Sequence, residues 1–249
     1  MSDGAKCCGS TTPLDQIRSL YTELALRPDK DFGWSKGKEN ARRLGYDAVW
    51  LERLPEPLWE SAAAVGNPFG LGPIRPGETV VDLGCGAGTD ACIAALMVGD
   101  AGRVIGFDVT PAMVEKARAN ARLAGVCSVE VREGDMAALP LPAACADVVI
   151  SNGAINLSPD KALVLSEAFR ILRSGGRFQF ADVVREDAQA CGRPAVGGSW
   201  ANCVSGALPA EQVLELLRQA GFSSAELVAR THYRTSSTTI GALFRGLKA

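Results

Sequence analysis

Three acidic residues and a glycine loop occupy the positions of this chain at which chemistry could be done. Asp82 ends the apolar run Thr79-Val80-Val81 and opens the turn DLGCGAGTD, with glycines at 84, 86 and 88. Glycine tolerates positive φ and lets a ligand approach backbone that a side chain would obstruct. The spacing separates ligand classes. A dinucleotide fingerprint needs GxGxxG, but here the third glycine comes one residue early, with Thr89 in the expected place. A phosphate-cradling P-loop is excluded because no GK[ST] follows. Asp108 lies twenty residues past Gly88 and ends the run VIGFD, where a carboxylate can accept from both hydroxyls of a ribose. Asp135 and Met136 follow a third run, at Gly134. That carboxylate can accept from an adenine amino group while Met136 covers the ring, or it can serve as a plain surface turn. The combination predicts a nucleoside-binding crevice.

The elements that must position these residues are legible as alternating strands and helices. Strands are expected at 79–82, at the VIGFD run, at 126–133, at ADVVIS (146–151) and at RFQFADVV (177–184), the last entered through a glycine turn at Gly175-Gly176. Helices are expected after the glycine loop through Val98, from Thr110-Pro111 to Gly125, over 159–172 and from Pro209 onward. Met113 falls near the start of the second of these, placed to touch a ligand or to pack in the core. Residues 225–229 and 238–244 suggest a terminal antiparallel pair, with His232 exposed between them. The βαβα order without a break predicts one doubly wound α/β domain, Rossmann-like, with a mostly parallel seven-stranded sheet. We divide the chain into a tail and helical lid segment over 1–65 and the sheet domain over 66–249, with 185–206 as an active-site cover inserted before the last helix. Trp34, Tyr46 and Trp59 are read mainly as packing rings of the lid segment.

Composition excludes several function classes. Twenty-six basic and 28 acidic residues leave a net charge of −2 over 249 residues, which argues against a broad nucleic-acid footprint. No apolar run is long enough to span a bilayer, and MSDGAKCCGS lacks the apolar segment of a secretory signal. A cytoplasmic protein is expected, a monomer or homodimer acting on a small molecule, with neither nucleic acid nor membrane as partner. The eight cysteines (7, 8, 85, 92, 127, 145, 191 and 203) form no CxxC pair, so no structural metal site is expected.

The phrases DLGCGAGTD, VIGFDVTPAMVEKARANA, EGDMAALPLP, DVVISN and FRILRSGGRF resemble class I S-adenosylmethionine (SAM) methyltransferases over roughly residues 75–182. GNPFGLGPIRPGETVVDLG, SNGAINLSPDK and NCVSGALPAEQVLELLRQAGF extend the resemblance to the arsenite methyltransferase family over most of the chain. The resemblance implies SAM as cofactor. It places Asp82, Gly84, Cys85, Gly86 and Gly88 at the methionine end, with Asp82 alternatively capping loop amides. Asp108, Val109, Thr110 and Met113 would meet the ribose and its surroundings, Gly134, Asp135 and Met136 the adenine, and Ser151 and Asn152 the transferred methyl. Trp200, Asn202 and Cys203 are the acceptor-side candidates, with Asn152, Trp200 and Cys203 as the catalytic set.

The same resemblance exposes a departure. In that family three or four cysteine thiolates hold trivalent arsenic, a soft ligand matched to sulfur. Cys203 is present, but Val65 and Gly153 stand where two other family cysteines usually are. The expected function is therefore in-line methyl transfer to a small acceptor other than arsenite. The alternatives are arsenite methylation through Cys203 with Cys7 or Cys8, a non-catalytic SAM-binding regulator and, more remotely, an NAD-dependent dehydrogenase. A hydroxyl acceptor would need a base, and no base is evident from the sequence.

Overall fold

A computed structural model describes residues 12–186 and 206–249. Seven strands form one sheet in the order β3-β2-β1-β4-β5-β7-β6. They are β1 (Thr79–Leu83), β2 (Arg103–Asp108), β3 (Val129–Glu133), β4 (Ala146–Asn152), β5 (Leu172–Arg185), β6 (Ser224–Arg230) and β7 (Thr239–Leu247). The first five run parallel, and β7 inserts antiparallel between β5 and β6. The expected doubly wound sheet and its terminal antiparallel pair are both present. The order reverses at β1/β4, and in such sheets ligands bind beyond the carboxyl ends of the strands flanking that switch.

The central strands bury apolar residues on both faces, as parallel strands covered by helices must. Phe178 and Phe180 of β5 stack at 4.5 Å, and Phe180 stacks on Phe244 of β7 at 5.0 Å, welding the antiparallel edge to the parallel half. Beyond Thr89 and Asp90 in its first turn, helix α5 (Thr89–Val98) carries only apolar residues, among them Ala91, Cys92, Ala94 and Ala95. This lets it lie close against the sheet, with Ala91, Cys92, Ile93 and Ala94 fully buried. Helices α6 (Pro111–Leu123), α7 (Lys161–Ile171) and α8 (Ala210–Gln219) are amphipathic and complete the wrapping. Several boundaries differ from expectation, two of them by more than a residue or two at a strand start. The third strand starts at Val129 rather than 126. The glycine turn at 175–176 is instead a kink inside a longer β5, because Leu172 already pairs with Ala146 before the register shifts.

The N-terminal segment folds as four helices: α1 (Pro13–Leu26), α2 (Gly37–Arg43), α3 (Ala48–Arg53) and α4 (Glu56–Glu60). The first is closed by a capping box: the Asp15 amide donates to Thr12 Oγ1 at 3.2 Å, and the Thr12 amide donates to Asp15 Oδ2 at 3.0 Å. Arg18 Nε donates to Val109 O at 3.1 Å, Lys116 Nζ to Ala25 O at 3.1 Å, and Ser61 Oγ to Leu24 O at 3.1 Å. These bonds lash the helices over the carboxyl edge of the sheet. Thr12→Ala should cost about 1 kcal/mol through loss of the cap. In a chain of this size that is a melting-temperature drop of about 2–4 °C, measurable by calorimetry.

Candidate active site

One cavity of about 340 Å³ lies between the carboxyl edge of the sheet and the N-terminal helices, within the size range of small-ligand pockets. Its floor is the glycine loop. Gly84, Gly86 and Gly88 all have positive φ, at 69°, 51° and 82°, but they serve different ends. A Cβ on Gly84 would collide with Ala154, whereas at Gly86 it would meet nothing within 4 Å. Gly86 therefore leaves an open cradle. Gly88 is not on the cavity wall: it is the N-cap of α5, and a Cβ there would lie 3.0 Å from Ala117 Cβ of α6. In the structure its visible part is helix packing.

Asp108 holds the loop in place and lines the cavity. Its Oδ2 accepts from the Gly86 amide at 2.9 Å and its Oδ1 from the Thr110 amide at 2.8 Å. A carboxylate oxygen can accept twice, so acceptor capacity remains for a ligand. Val109, Thr110, Met113, Gly134, Asp135 and Met136 line the same cavity. Asp135 Oδ1 accepts from the Ala137 amide at 2.9 Å, closing a turn that fixes the carboxylate beyond β3. Cys85 also lines the wall. Its thiol packs against Gly106 of β2, which has no room for a Cβ, and burial pushes it well above its usual pKa. Cys92 is buried in α5 and pushed up to about 12, so neither thiol is poised to ionise.

At the far end Asn152 lines the cavity, but Ser151 does not. Ser151 is fully buried and its Oγ donates to Leu83 O at 2.8 Å. Neighbouring strand residues point to opposite faces, and here Ser151 ties β4 to β1 while Asn152 turns to the cavity. Asn152 is held by several bonds: its Oδ1 accepts from the Val65 amide at 2.9 Å, and its Nδ2 lies 2.9 Å from each of Gly66 O, Tyr46 Oη and Asp90 Oδ2. Tyr46 Oη donates to Asp90 Oδ1 at 2.8 Å. Tyr46 and Asp90 both line the cavity, and reading the sequence missed both as site residues. The signal for Asp90 was there in its position, in the first turn of α5 directly behind the glycine loop. Trp200, Asn202, Cys203, Cys7 and Cys8 lie outside the described residues.

The electrostatics of the cavity are one-sided. Asp82, Asp90 and Asp108 converge on it, and among the described residues its wall carries no lysine, arginine or histidine. Asp82 is 2% exposed and its Oδ2 has no hydrogen-bond partner. Burial first, then Asp90 and Asp108, push its carboxyl well above the ordinary value. Burial raises Asp108 too, against the pull of its amide donors, and lifts Asp90 to about 6. Such a set fits a cationic ligand. SAM, with its ammonium and sulfonium charges, matches it. The pyrophosphate of a dinucleotide would meet carboxylates here, one of them already occupying the helix N-terminus that normally receives an anion.

Comparison with known proteins agrees. The methyltransferase-domain family matches residues 74–221. An arsenite methyltransferase of Halobacterium salinarum is 34% identical over 232 residues, covering 92% of this chain and 56% of that protein. An arsenite methyltransferase of Aquipseudomonas alcaligenes is 35% identical over 191 residues, covering 72% of this chain and 55% of its own. The chain thus spans about half the length of the curated relatives it matches. Among solved structures, an arsenic(III) S-adenosylmethionine methyltransferase from Chlamydomonas reinhardtii superimposes with a TM-score of 0.62 at 29% identity, covering 86% of this chain and 74% of that one. The nucleoside crevice, the unpartnered carboxylate that calls for a cationic ligand and the family match over most of the sheet domain converge: this chain belongs to the S-adenosylmethionine-dependent methyltransferase family.

Proposed function

We propose that this chain methylates a small, largely apolar acceptor other than arsenite. The observation that carries the proposal is the meeting of Val65 and Gly153. A Cβ built on Gly153 would lie 3.2 Å from Val65 Cγ1, so the two positions at which the resembling family places thiolates face each other. Here they present a branched hydrocarbon and no side chain at all. Val65 is buried behind Gly153, the Ala63 carbonyl would lie 3.7 Å from the same Cβ, and Ala64, Ala154 and Leu157 line the same cavity. Soft trivalent arsenic finds no sulfur there.

SAM, when bound, supplies an electrophilic methyl on sulfonium sulfur; the protein's part is to bind, orient and exclude water. Asp108 and Asp135 are placed to hold the nucleoside, and Gly86 to admit the backbone-hugging end of the ligand. The helices α1, α2 and α4 close the cavity with Leu24, Ala41 and Trp59. Holding acceptor and methyl in line removes an entropic barrier that reaches about 7–11 kcal/mol in ideal model systems.

The arsenite methyltransferase relatives favour a second reading, arsenite methylation through Cys203 with Cys7 or Cys8. Incubation with methyl-labelled SAM separates the two. Arsenite with glutathione should give no labelled arsenic species, while a pool of small apolar thiols and phenols should take up label. A labelled methylarsenic product would overturn the proposal.

A further inference from the structure

We propose that Asp90, oriented by Tyr46 and Asn152, is the proton acceptor of the reaction, and that the methyl acceptor is accordingly an apolar molecule bearing an acidic hydroxyl, a phenol or an enol. The inference rests on the reading that the acceptor is apolar and not an arsenic thiolate.

The geometry carries it. The Val65 amide donates to Asn152 Oδ1, which forces Nδ2 to face Tyr46 Oη, Gly66 O and Asp90 Oδ2. Tyr46 Oη, accepting from Asn152, turns its own proton to Asp90 Oδ1 at 2.8 Å. Each Asp90 oxygen therefore takes one donor from a fixed partner and keeps acceptor capacity towards the cavity that it lines. The triangle is pinned from three sides: the turn between α2 and α3, the first turn of α5 and the end of β4. Among the described residues, Asp82 of β1 acts on Tyr46 and on Asp90, and Asp108 of β2 reaches the group through Asp82. Asp82, with an unpartnered Oδ2, has no donors to orient it and is pushed much further towards its protonated form. Asp108 is committed to the Gly86 and Thr110 amides on the nucleoside side. Asp90, lifted to about 6 mainly by burial, is ionised at neutral pH and still basic enough to take a proton.

A thiolate or an arsenic–thiolate adduct needs no such group. A hydroxyl does. In the step inferred, an oxygen lone pair of the acceptor forms the new bond to the methyl carbon as the methyl–sulfur bond breaks and its electron pair stays on sulfur. The hydroxyl proton passes to the Asp90 carboxylate and from there to water.

The test compares 1-naphthol with thiophenol, which ionises unaided, using methyl-labelled SAM and wild type, Asp90→Asn and Tyr46→Phe proteins. Binding of S-adenosylhomocysteine is measured by calorimetry in parallel. In wild type, kcat for naphthol should rise with pH to a plateau through a limb at or below about 6, the value in the free protein, because bound SAM favours the ionised carboxylate. Asp90→Asn should lose about 10²–10⁴-fold in kcat on naphthol together with that limb, and at least about tenfold less on thiophenol. Tyr46→Phe removes a donor that lowers the Asp90 pKa, so its limb should move to higher pH. A group that merely clasps the helices would not move it. Equal losses on both acceptors, an unmoved limb in Tyr46→Phe, or labelling of thiophenol alone overturns the inference and leaves the apolar-acceptor reading standing. Labelling of neither, with S-adenosylhomocysteine bound, overturns both.

Discussion

Asp108→Ala should weaken SAM and S-adenosylhomocysteine binding by about a hundredfold or more. Two effects add. In the proposed role the carboxylate accepts from both ribose hydroxyls, and hydrogen bonds to a charged acceptor are worth about 1.5–3 kcal/mol each. The same carboxylate also organises the loop, accepting from the Gly86 amide at 2.9 Å and the Thr110 amide at 2.8 Å. Its removal leaves both donors without their partner and loosens the one open position of the glycine cradle. Asp108→Asn keeps the volume but sets an NH₂ against one of those amides, so it should be only partly better. The measurement is calorimetric titration with S-adenosylhomocysteine on protein whose circular dichroism and melting transition are intact. A folded Asp108→Ala protein binding within about threefold of wild type would remove Asp108 from the ribose and leave it a purely structural role.

How far the site was legible follows from how local its determinants are. Asp82 and Asp108 each close an apolar run and Asp135 follows an alternating one by a single glycine, so chain order alone puts them at the carboxyl ends of β1, β2 and β3. The mostly parallel sheet was legible for the same reason: strands buried on both faces read as continuous apolar runs. The different surroundings of Ser151 and Asn152 were not legible because a strand buried on both faces hides the alternation that sends Ser151 to Leu83 and Asn152 to the cavity. Nor does a glycine loop say which glycine makes room for a helix; the approach of Ala117 shows that for Gly88. The Tyr46–Asp90–Asn152 triangle was out of reach on other grounds. Tyr46 lies 44 residues from Asp90, and Asn152 lies 62 residues beyond Asp90. Their meeting depends on how the N-terminal helices dock, and no local pattern in the segment between Gly33 and Gly66 encodes that. Tyr46 looked like packing, and it does pack, edge-on against Trp50, Trp59 and Phe69. Only its hydroxyl does something else.

Asp82→Asn should stabilise the free protein at neutral and alkaline pH while reducing its response to SAM. Asp82 is buried with an unpartnered oxygen, and burial, then Asp90 and Asp108, hold its carboxyl well above the ordinary value. The folded free protein thus retains a proton that the unfolded chain gives up above about pH 4. The stability tied to that proton is fully present below the unfolded pKa and is lost as pH rises through the folded one. An asparagine has no such proton to lose. The variant should therefore match wild type near pH ~4 and exceed it near pH ~8. An unsatisfied buried charged group costs about 1–3 kcal/mol or more. In a chain of this size the advantage corresponds to about 2–10 °C in melting temperature. Cofactor reverses the order. A cationic ligand favours the ionised carboxylate, so SAM should raise the melting temperature of wild type by more than that of the variant. The difference between SAM and uncharged-sulfur S-adenosylhomocysteine should shrink in Asp82→Asn, since one carboxylate less faces the sulfonium. If the variant is instead less stable at every pH tested and responds to SAM as wild type does, the Asp82 carboxylate does not face the sulfonium and the cationic complementarity of the cavity rests on Asp90 and Asp108 alone.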